Sequence, residues 1–310
     1  MVDIKEVAEN IYMIDNRLLS LPKWGSAYLI NEEKKALIDA GPATSVNTVL
    51  SGIKDIGVRP EDIDYIIVTH IHLDHAGSAG VLIRDMPQAQ VVVHHRGAWH
   101  LANPEKLINS AVEAQGEEVM LGYGEVVPVE EHKVRPVYDG SEIKLSEKQV
   151  LKFIDAPGHA PHELCIYESR NEGLFTGDAA GIYLAEGEIL LPATVPPNFD
   201  LELCIDTLER LMKLKANLIY FSHFGVSGKA QEILQSVVDK LQAWDGIVTQ
   251  AVKENRFTSA AERLTAKACA ELEPIRQMES LYEYLTNFDI PKSVSGYIKY
   301  YKEKHQAELS

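Results

Sequence analysis

The chain has 310 residues, of which 45% are hydrophobic and 25% charged, a composition typical of a globular enzyme. Its formal net charge of −16 argues against nucleic acid and anionic membranes as main partners, because both are bound through clustered Lys and Arg. A small anionic substrate stays open, since metal ions and a few local bases can override the global field.

The chain begins with six residues that have neither the basic nor the apolar region of a signal peptide. No apolar run approaches the roughly 18 residues of a membrane helix. The cysteines are scattered, which fits free thiols in a reducing compartment; they are Cys165, Cys204 and Cys269. We therefore expect a cytoplasmic protein that does not associate with membranes.

Strands and helices alternate over the first 95 residues. Short apolar runs at 11–14, 27–30 and 36–38 indicate strands, and helical spacing follows from 45 to about 56. A run rich in β-branched residues at 63–69 indicates a buried strand, before a helix that begins near residue 80 and a strand at 90–94. This order is typical of an α/β layered fold.

Helical spacing over about 96–135 predicts an insertion between two core strands. Strands return at 150–154, 163–167, 173–176 and 217–221, with a helix over 200–214 for which Asp200 is the predicted N-cap. The remainder reads as helices, broken near 255–256, Pro274 and Pro291. We expect a main domain over 1–228 and a C-terminal helical extension over 229–310.

Three histidines and a carboxylate lie within six positions after the strand at 63–69; they are His70, His72, Asp74 and His75. Imidazole nitrogen and carboxylate oxygen are donors that zinc and similar divalent metals take. In an extended segment His70 and His72 point to the same side and can bind one metal. Asp74 and His75, in the following turn, can reach a second metal. The cluster therefore predicts a metal site at the carboxyl end of a strand.

Other ionisable residues also follow strand-like runs. They are His159, Asp178 and His223. Such residues at the ends of apolar strands are unusual as core fillers. Because several strand ends that meet at one edge make a site, we expect these side chains to gather around the first cluster.

These residues occur in local motifs that resemble those of the metallo-β-lactamase superfamily. In chain order the motifs read LIDAGP, THIHLDHAG, APGHA, LFTGD and FSHFG. Five motifs in this order on these elements make a specific match, which spans roughly residues 10–228. The resemblance implies a four-layer αββα sandwich with a two-metal site along one edge. The glyoxalase-II-like branch is the nearest resemblance within the superfamily.

The resemblance also implies the role of each residue. One metal would be held by His70, His72 and His159, and the other by Asp74, His75 and His223. Asp178 would bridge the two ions, and Asp39 would lie behind the ligands as a hydrogen-bond acceptor. Zinc is favoured for both ions, with iron or manganese as alternatives. A hydroxide that bridges the metals would attack the substrate, and Asp74 would orient it and pass a proton to the leaving atom.

A further group of histidines and one tyrosine lie near the motifs. His94, His95 and His100 have no ligand spacing, and we expect them to pack structurally. His162 falls where many relatives carry Gly, which leaves open whether it lines the pocket. Tyr183 is the candidate substrate-binding residue, because some lactonases of this fold bind the carbonyl with a Tyr after the bridging Asp, although at a shorter spacing.

The nearest resemblance favours a dinuclear metallohydrolase of a small ester, thioester or lactone, with a small molecule as its partner and homodimerisation left open. His72 disfavours flavodiiron-type oxidoreductases, which usually carry Glu there. A mononuclear iron persulfide dioxygenase would keep the whole cluster, and a phosphodiesterase or a non-catalytic ligand-sensing module on the same fold also stays open. No basic cluster marks a nucleotide or a glutathione carboxylate, so the leaving group is unassigned.

Overall fold

Two β-sheets lie face to face in the computed structural model, which describes residues 2–253 and 257–309. The first sheet holds, in spatial order, β1 (Ile4–Ala8), β2 (Ile11–Asp15), β3 (Ser26–Ile30), β4 (Lys35–Ile38), β5 (Ile63–Ile67), β6 (Gln90–His94) and β7 (Val134–Val137). Strands β1 to β4 pair antiparallel, and β4 to β7 pair in parallel. The parallel strands therefore end at one common edge.

The second sheet is mostly antiparallel. Its strands are β8 (Glu142–Lys144), β9 (Val150–Asp155), β10 (Leu164–Glu168), β11 (Gly173–Phe175), β14 (Leu218–Phe221) and β15 (Gly225–Ser227). Only β11 and β14 pair in parallel. Between them in the chain lies a separate hairpin of β12 (Ile182–Leu184) and β13 (Ile189–Leu191).

Alternation of side chains along the strands separates the core into layers. In β3, Tyr28 and Ile30 pack between the two sheets, where they join Phe153 of the second sheet. Ala27 and Leu29 of the same strand point the other way, into an apolar cluster with the helices outside the first sheet. Both faces of the strand are buried, which explains its continuous apolar run.

Helices cover both outer faces. The first sheet is covered by α1 (Val46–Asp55), α2 (Leu73–Ala76) and α3 (Ala79–Leu82). The second is covered by α7 (Leu201–Met212), whose N-cap is Asp200, as predicted; its carboxylate accepts a hydrogen bond from the Leu203 N–H at 3.0 Å. The predicted four-layer αββα sandwich is confirmed.

Three helices lie between β6 and β7, where the sequence predicts an insertion. They are α4 (Ala98–Ala102), α5 (Glu105–Gln115) and α6 (Glu117–Tyr123). The α6 helix packs against the turn at Leu18–Ser20, near the edge at which the strands end.

The C-terminal part consists of α8 (Ala230–Lys253), α9 (Phe257–Glu271), α10 (Glu279–Tyr284), a π-helical turn at Leu285–Asp289 and α11 (Ile290–Leu309). Trp244 and Tyr297 from these helices share one apolar cluster with Leu208 of α7. The extension therefore packs on the outside of the second sheet. The predicted helix break near residues 255–256 lies outside the described residues. In the described part of the chain, none of the helices combines the length and apolar character needed to span a membrane.

Candidate metal centre

Several strands end at the edge where the two sheets meet. There the Leu164 N–H donates to the Thr69 carbonyl at 2.8 Å, and the Ser26 N–H donates to the Ser222 carbonyl at 2.8 Å. The segments that follow β4, β5, β9, β11 and β14 all meet at this edge. The side chains that these segments carry to the edge are Asp39, His70, His72, Asp74, His75, His159, Asp178 and His223.

The first group of side chains consists of His70, His72 and His159. The Nδ1 atom of His72 lies 2.9 Å from Nε2 of His70 and 3.1 Å from Nε2 of His159. Three nitrogens this close together on buried or half-buried residues form a trigonal face that one metal ion can occupy.

The second group consists of Asp74, His75 and His223. Asp74 Oδ2 lies 3.7 Å from His75 Nε2 and 3.6 Å from His223 Nε2. One carboxylate oxygen and two imidazole nitrogens therefore form a second face with donors suited to a divalent cation.

Asp178 lies between the two groups. Its Oδ2 is 3.3 Å from His159 Nε2 in the first group. Its Oδ1 is 3.5 Å from His75 Nε2 and 3.6 Å from His223 Nε2 in the second group. Each carboxylate oxygen thus faces a different group, which is the arrangement of a carboxylate that bridges two ions.

Asp39 lies behind His75. Its Oδ2 accepts hydrogen bonds from His75 Nδ1 at 3.0 Å and from Ser222 Oγ at 2.7 Å, while Oδ1 accepts from the Thr69 N–H at 2.8 Å. Burial alone would raise the pKa of Asp39, but His75 and these donors hold it below its usual value. Asp39 therefore fixes the His75 ring so that Nδ1 is protonated and Nε2 faces Asp74 and Asp178.

Backbone carbonyls orient two further imidazoles in the same way. His159 Nδ1 donates to the Ala193 carbonyl at 2.9 Å, and His223 Nδ1 donates to the Trp24 carbonyl at 3.2 Å. In both rings Nε2 is left for the site.

Unsatisfied buried atoms indicate that a cation belongs at this site. His75 Nε2 and Asp178 Oδ1 are both buried without a hydrogen-bond partner among the described residues. Burial lowers the pKa of His75, but Asp178, Asp74 and Asp39 more than offset this and raise the pKa to about 10. The carboxylates thus favour positive charge at His75, and the residues present fit two divalent cations.

Glu163 is a buried residue of the site that sequence reasoning missed. Its Oε1 accepts hydrogen bonds from the N–H groups of Asp178 at 2.7 Å and Ala179 at 3.0 Å, so it holds the turn that carries the Asp178 carboxylate. Gly177 in that turn has φ +51°, and a Cβ there would lie 2.6 Å from Glu163 Oε1. An acidic residue at the start of an apolar strand was the available signal.

A cavity of about 440 Å³ opens over the metal groups, by which we mean the first and second groups of side chains with Asp178 between them. Its walls come from the insertion and from the C-terminal helices as well as from the core. Aromatic walls are formed by Trp24, Tyr123 and Tyr284. Asp289 and Lys292, near the start of α11, also line the cavity, and nothing in their local sequence marks them as site residues.

The remaining candidate residues are placed as follows. His162, left open by the sequence, lines the cavity, as does His100, which was expected to pack structurally. His94 is buried with its Nε2 3.2 Å from Asp155 Oδ1, and His95 stacks on Tyr138.

Tyr183 is not among the described residues that line the cavity. Its ring stacks on Phe221 with centroids 4.9 Å apart, and its backbone N–H donates to the His223 carbonyl at 2.6 Å. The structure thus brings the eight predicted metal-site residues together and leaves Tyr183 behind them.

Residues 24–223 match the family model of the metallo-beta-lactamase superfamily. The metallo-beta-lactamase fold-containing protein ST1585 of Sulfurisphaera tokodaii is 30% identical over 219 residues, covering 69% of this chain and 78% of that protein. The crystal structure of ST1585 covers 74% of this chain and 85% of its own chain, with a TM-score of 0.64. A metallo-beta-lactamase family protein of Thermus thermophilus, TTHA1429, shares the fold over 97% of this chain and 95% of its own, with a TM-score of 0.66 at 19% identity.

Relatives with different named activities are also similar to this chain. An N-acyl homoserine lactonase of a Bacillus species is 26% identical over 69% of this chain and 86% of that protein. A rubredoxin-oxygen oxidoreductase of Megalodesulfovibrio gigas is 25% identical over 61% of this chain and 39% of that protein. Hydrolytic and redox relatives therefore both occur.

Proposed function

This chain belongs to the metallo-β-lactamase superfamily, and we propose that it is a metal-dependent hydrolase with two divalent ions, zinc favoured, that cleaves a small ester, thioester or lactone. The observation that carries this proposal is the position of Asp178, whose two oxygens face separate groups of metal-ligand side chains. A bridging carboxylate of this kind serves two ions at once. Paired ions are suited to displacement reactions at carbonyl and phosphoryl centres.

The residues present would divide between two ions. The first group would hold one, the second group would hold the other, and Asp178 would contact both. Divalent cations bound there would polarise a carbonyl oxygen, and they would also make a hydroxide nucleophile available at neutral pH. The protein keeps the imidazoles oriented through Asp39 and the Ala193 and Trp24 carbonyls, so that little reorganisation accompanies the reaction.

Asp74 is the proposed proton carrier. Its side chain is 18% exposed, against 8% for Asp178, and it lines the cavity directly. A carboxylate in this position can orient the attacking water, accept its proton and deliver that proton to the leaving oxygen or sulfur. Asp178 is less accessible and is suited to a purely ligating role.

The cavity favours a small substrate with an apolar part. Its volume of about 440 Å³ is within the usual range for small-molecule sites. Trp24, Ile71 and Leu107 offer apolar contacts near the metal groups. The cytoplasmic location stays a prediction, and the small-molecule partner is part of this proposal.

A substrate screen of the zinc-loaded protein tests this function. Aryl esters, acyl thioesters, lactones and bis-p-nitrophenyl phosphate would be compared, each with a chelator-treated control. We expect metal-dependent turnover of at least one carbonyl substrate that exceeds phosphodiester cleavage. Cleavage of the phosphodiester alone would replace this proposal with a phosphodiesterase, and no metal-dependent turnover would favour the ligand-sensing module.

An oxidoreductase is the second candidate. The first histidine group with Asp178 can by itself hold one iron, and one relative is a rubredoxin-oxygen oxidoreductase. Metal analysis of protein purified without added metal, together with oxygen consumption, separates the candidates. One iron per chain with oxygen uptake would support the redox candidate, and two ions without oxygen uptake would support the hydrolase.

A further inference from the structure

We propose that the substrate carries a carboxylate remote from its scissile bond, and that this carboxylate pairs with the Lys292 ammonium group inside the cavity. The proposal rests on the proposed hydrolase function and names the class of substrate: an ester, thioester or lactone with an anionic acyl part.

Lys292 extends from the first turn of α11 into the cavity that contains the metal groups. The π-helical turn at Leu285–Asp289 directly precedes this helix, and such turns are frequent at functional sites. The side chain is partly buried, yet its Nζ has no ion pair or hydrogen bond with any residue that the structure describes. A half-buried ammonium group that no described residue pairs with is free to bind an anion that enters the cavity.

Metal binding would increase the need for such an anion. Asp74 and Asp178 are the carboxylates that act on Lys292 from the metal groups. Once they ligate divalent cations, their charge is consumed there and no longer balances the lysine. Among the described lining residues, Asp289 is then the one acid left in the cavity.

The mouth of the cavity adds further positive charge. Arg96 and Lys106 are exposed lining residues from the insertion, and the described chain gives neither of them an ion pair. Together with Lys292 they make a basic cavity in a chain whose formal net charge is −16. Such a local reversal attracts anions and steers them toward the metal groups. The three residues come from separate segments, which is why the sequence shows no basic cluster.

Asp289 limits this positive charge without cancelling it. It lies three residues before Lys292 and its charge acts on the ammonium group, although the described structure has no ion pair between them within 4.0 Å. With Asp74 and Asp178 assigned to the metals, one carboxylate opposes the three cationic side chains of the cavity. The cavity therefore keeps a net attraction for an anionic substrate.

Matched esters test the proposal on the zinc-loaded full chain. Mono-p-nitrophenyl adipate and p-nitrophenyl hexanoate differ in the terminal carboxylate and share the leaving group. We expect the adipate ester to have the higher kcat/KM. Lys292→Met should lower that value about 10- to 100-fold, mainly through KM, because a hydrogen-bonded charge pair is lost. The hexanoate ester should change less than about twofold.

Two variants control for charge and folding. Lys302→Met removes an exposed lysine of the same helix, outside the cavity, and should leave both esters unchanged. Lys292→Arg keeps the charge and should retain the adipate preference. Equal loss of both esters in Lys292→Met with recovery of both in Lys292→Arg would indicate a structural role and overturn the proposal.

Calorimetry separates this inference from the proposed reaction. Adipate itself should bind the zinc-loaded protein more tightly than hexanoate, and Lys292→Met should abolish the difference. If neither ester is hydrolysed but this binding pattern holds, the anion site stands and the hydrolase proposal fails. If both esters are hydrolysed alike and Lys292→Met changes neither binding nor KM, the anion site is wrong and the hydrolase proposal stands.

Discussion

The floor and the wall of the cavity are built in different ways. The floor consists of the seven side chains of the metal groups with Asp39, all carried by segments that follow core strands. The wall consists of lining residues from the insertion and the C-terminal helices, among them Lys106, Tyr123, Tyr284, Asp289 and Lys292. Floor residues are mostly buried and tied to one another by hydrogen bonds, whereas Lys106 and Lys292 have no such partners in the described structure.

This difference separates reaction from selectivity. The floor offers a ligand set that many substrates could share, and its hydrogen bonds hold it in one arrangement. The wall offers apolar faces and unpaired charges that choose among substrates. Changes in the floor should therefore abolish turnover, and changes in the wall should alter which substrate binds.

The largest effect is expected at Asp178, the proposed bridging carboxylate. Asp178→Asn keeps the shape of the side chain but removes the charge shared between the two groups. We expect at least about 1,000-fold loss of kcat and fewer than two zinc ions per chain, measured by esterase assay and metal analysis. Asp155→Asn is the control, since Asp155 faces His94 outside the metal groups. Full metal content with near-normal turnover in Asp178→Asn would contradict the bridging role.

A smaller effect is expected behind the ligands. Asp39→Asn should weaken zinc binding about 10- to 100-fold, because His75 loses its charged acceptor. The backbone at Asp39 has φ +51°, a conformation that Asn tolerates, so the change is confined to the hydrogen bonds. Ser222→Ala removes one donor to Asp39 and should cost much less. Chelator competition measures both variants, and equal affinities in Asp39→Asn and the unmodified protein would refute the orienting role.

The candidate metal-ligand residues of the floor were predictable because their chemistry is local. Four of them lie within six consecutive positions; they are His70, His72, Asp74 and His75. The residues that join them each follow an apolar strand. Glu163 was missed, since one acid at a strand start resembles a solvent-facing residue. It is in fact buried beneath the Asp178 turn.

The wall was not predictable at residue level, although its helices were. Lys292 reaches the cavity because of how α11 packs against α9 and the π-helical turn before it, and a sequence pattern does not specify such long-range packing. Tyr183 shows the converse. Its position after Asp178 suggested the cavity, but the β12–β13 hairpin stacks its ring on Phe221 instead.

The pH dependence of metal binding tests the electrostatics of the floor. With the pKa of His75 raised to about 10 by the surrounding carboxylates against the effect of burial, metal must displace a proton at neutral pH. Zinc affinity should rise at least about tenfold per pH unit from pH 6.5 to 8.5, measured by chelator competition. A pH-independent affinity over this range would show that Nε2 of His75 carries no proton in the metal-free site.

The same raised pKa has a stability consequence with a definite sign. Protonated His75 stabilises the metal-free fold fully below the unfolded-state pKa near 6.5, and this contribution is lost as pH rises through about 10. Zinc should therefore protect the protein against thermal unfolding more strongly at pH 9 than at pH 6.5. Equal protection at both values would argue against this linkage.

The smallest effect is expected in the wall. Asp289→Asn removes the acid nearest in sequence to Lys292 within the cavity and should tighten adipate binding about three- to tenfold. Glu283→Gln, an exposed change on α10 outside the cavity lining, serves as the control. Weaker adipate binding in Asp289→Asn would mean that the Asp289 carboxylate helps to hold the ligand. Asp289 would then act with the floor residues and not as part of the wall.

Anomalous diffraction from crystals of the zinc-loaded protein, recorded at the zinc edge, tests the two-ion site most directly. We predict two peaks, one among His70, His72 and His159 and one among Asp74, His75 and His223, with Asp178 between them. A single peak, or zinc bound away from these side chains, would contradict the dinuclear centre.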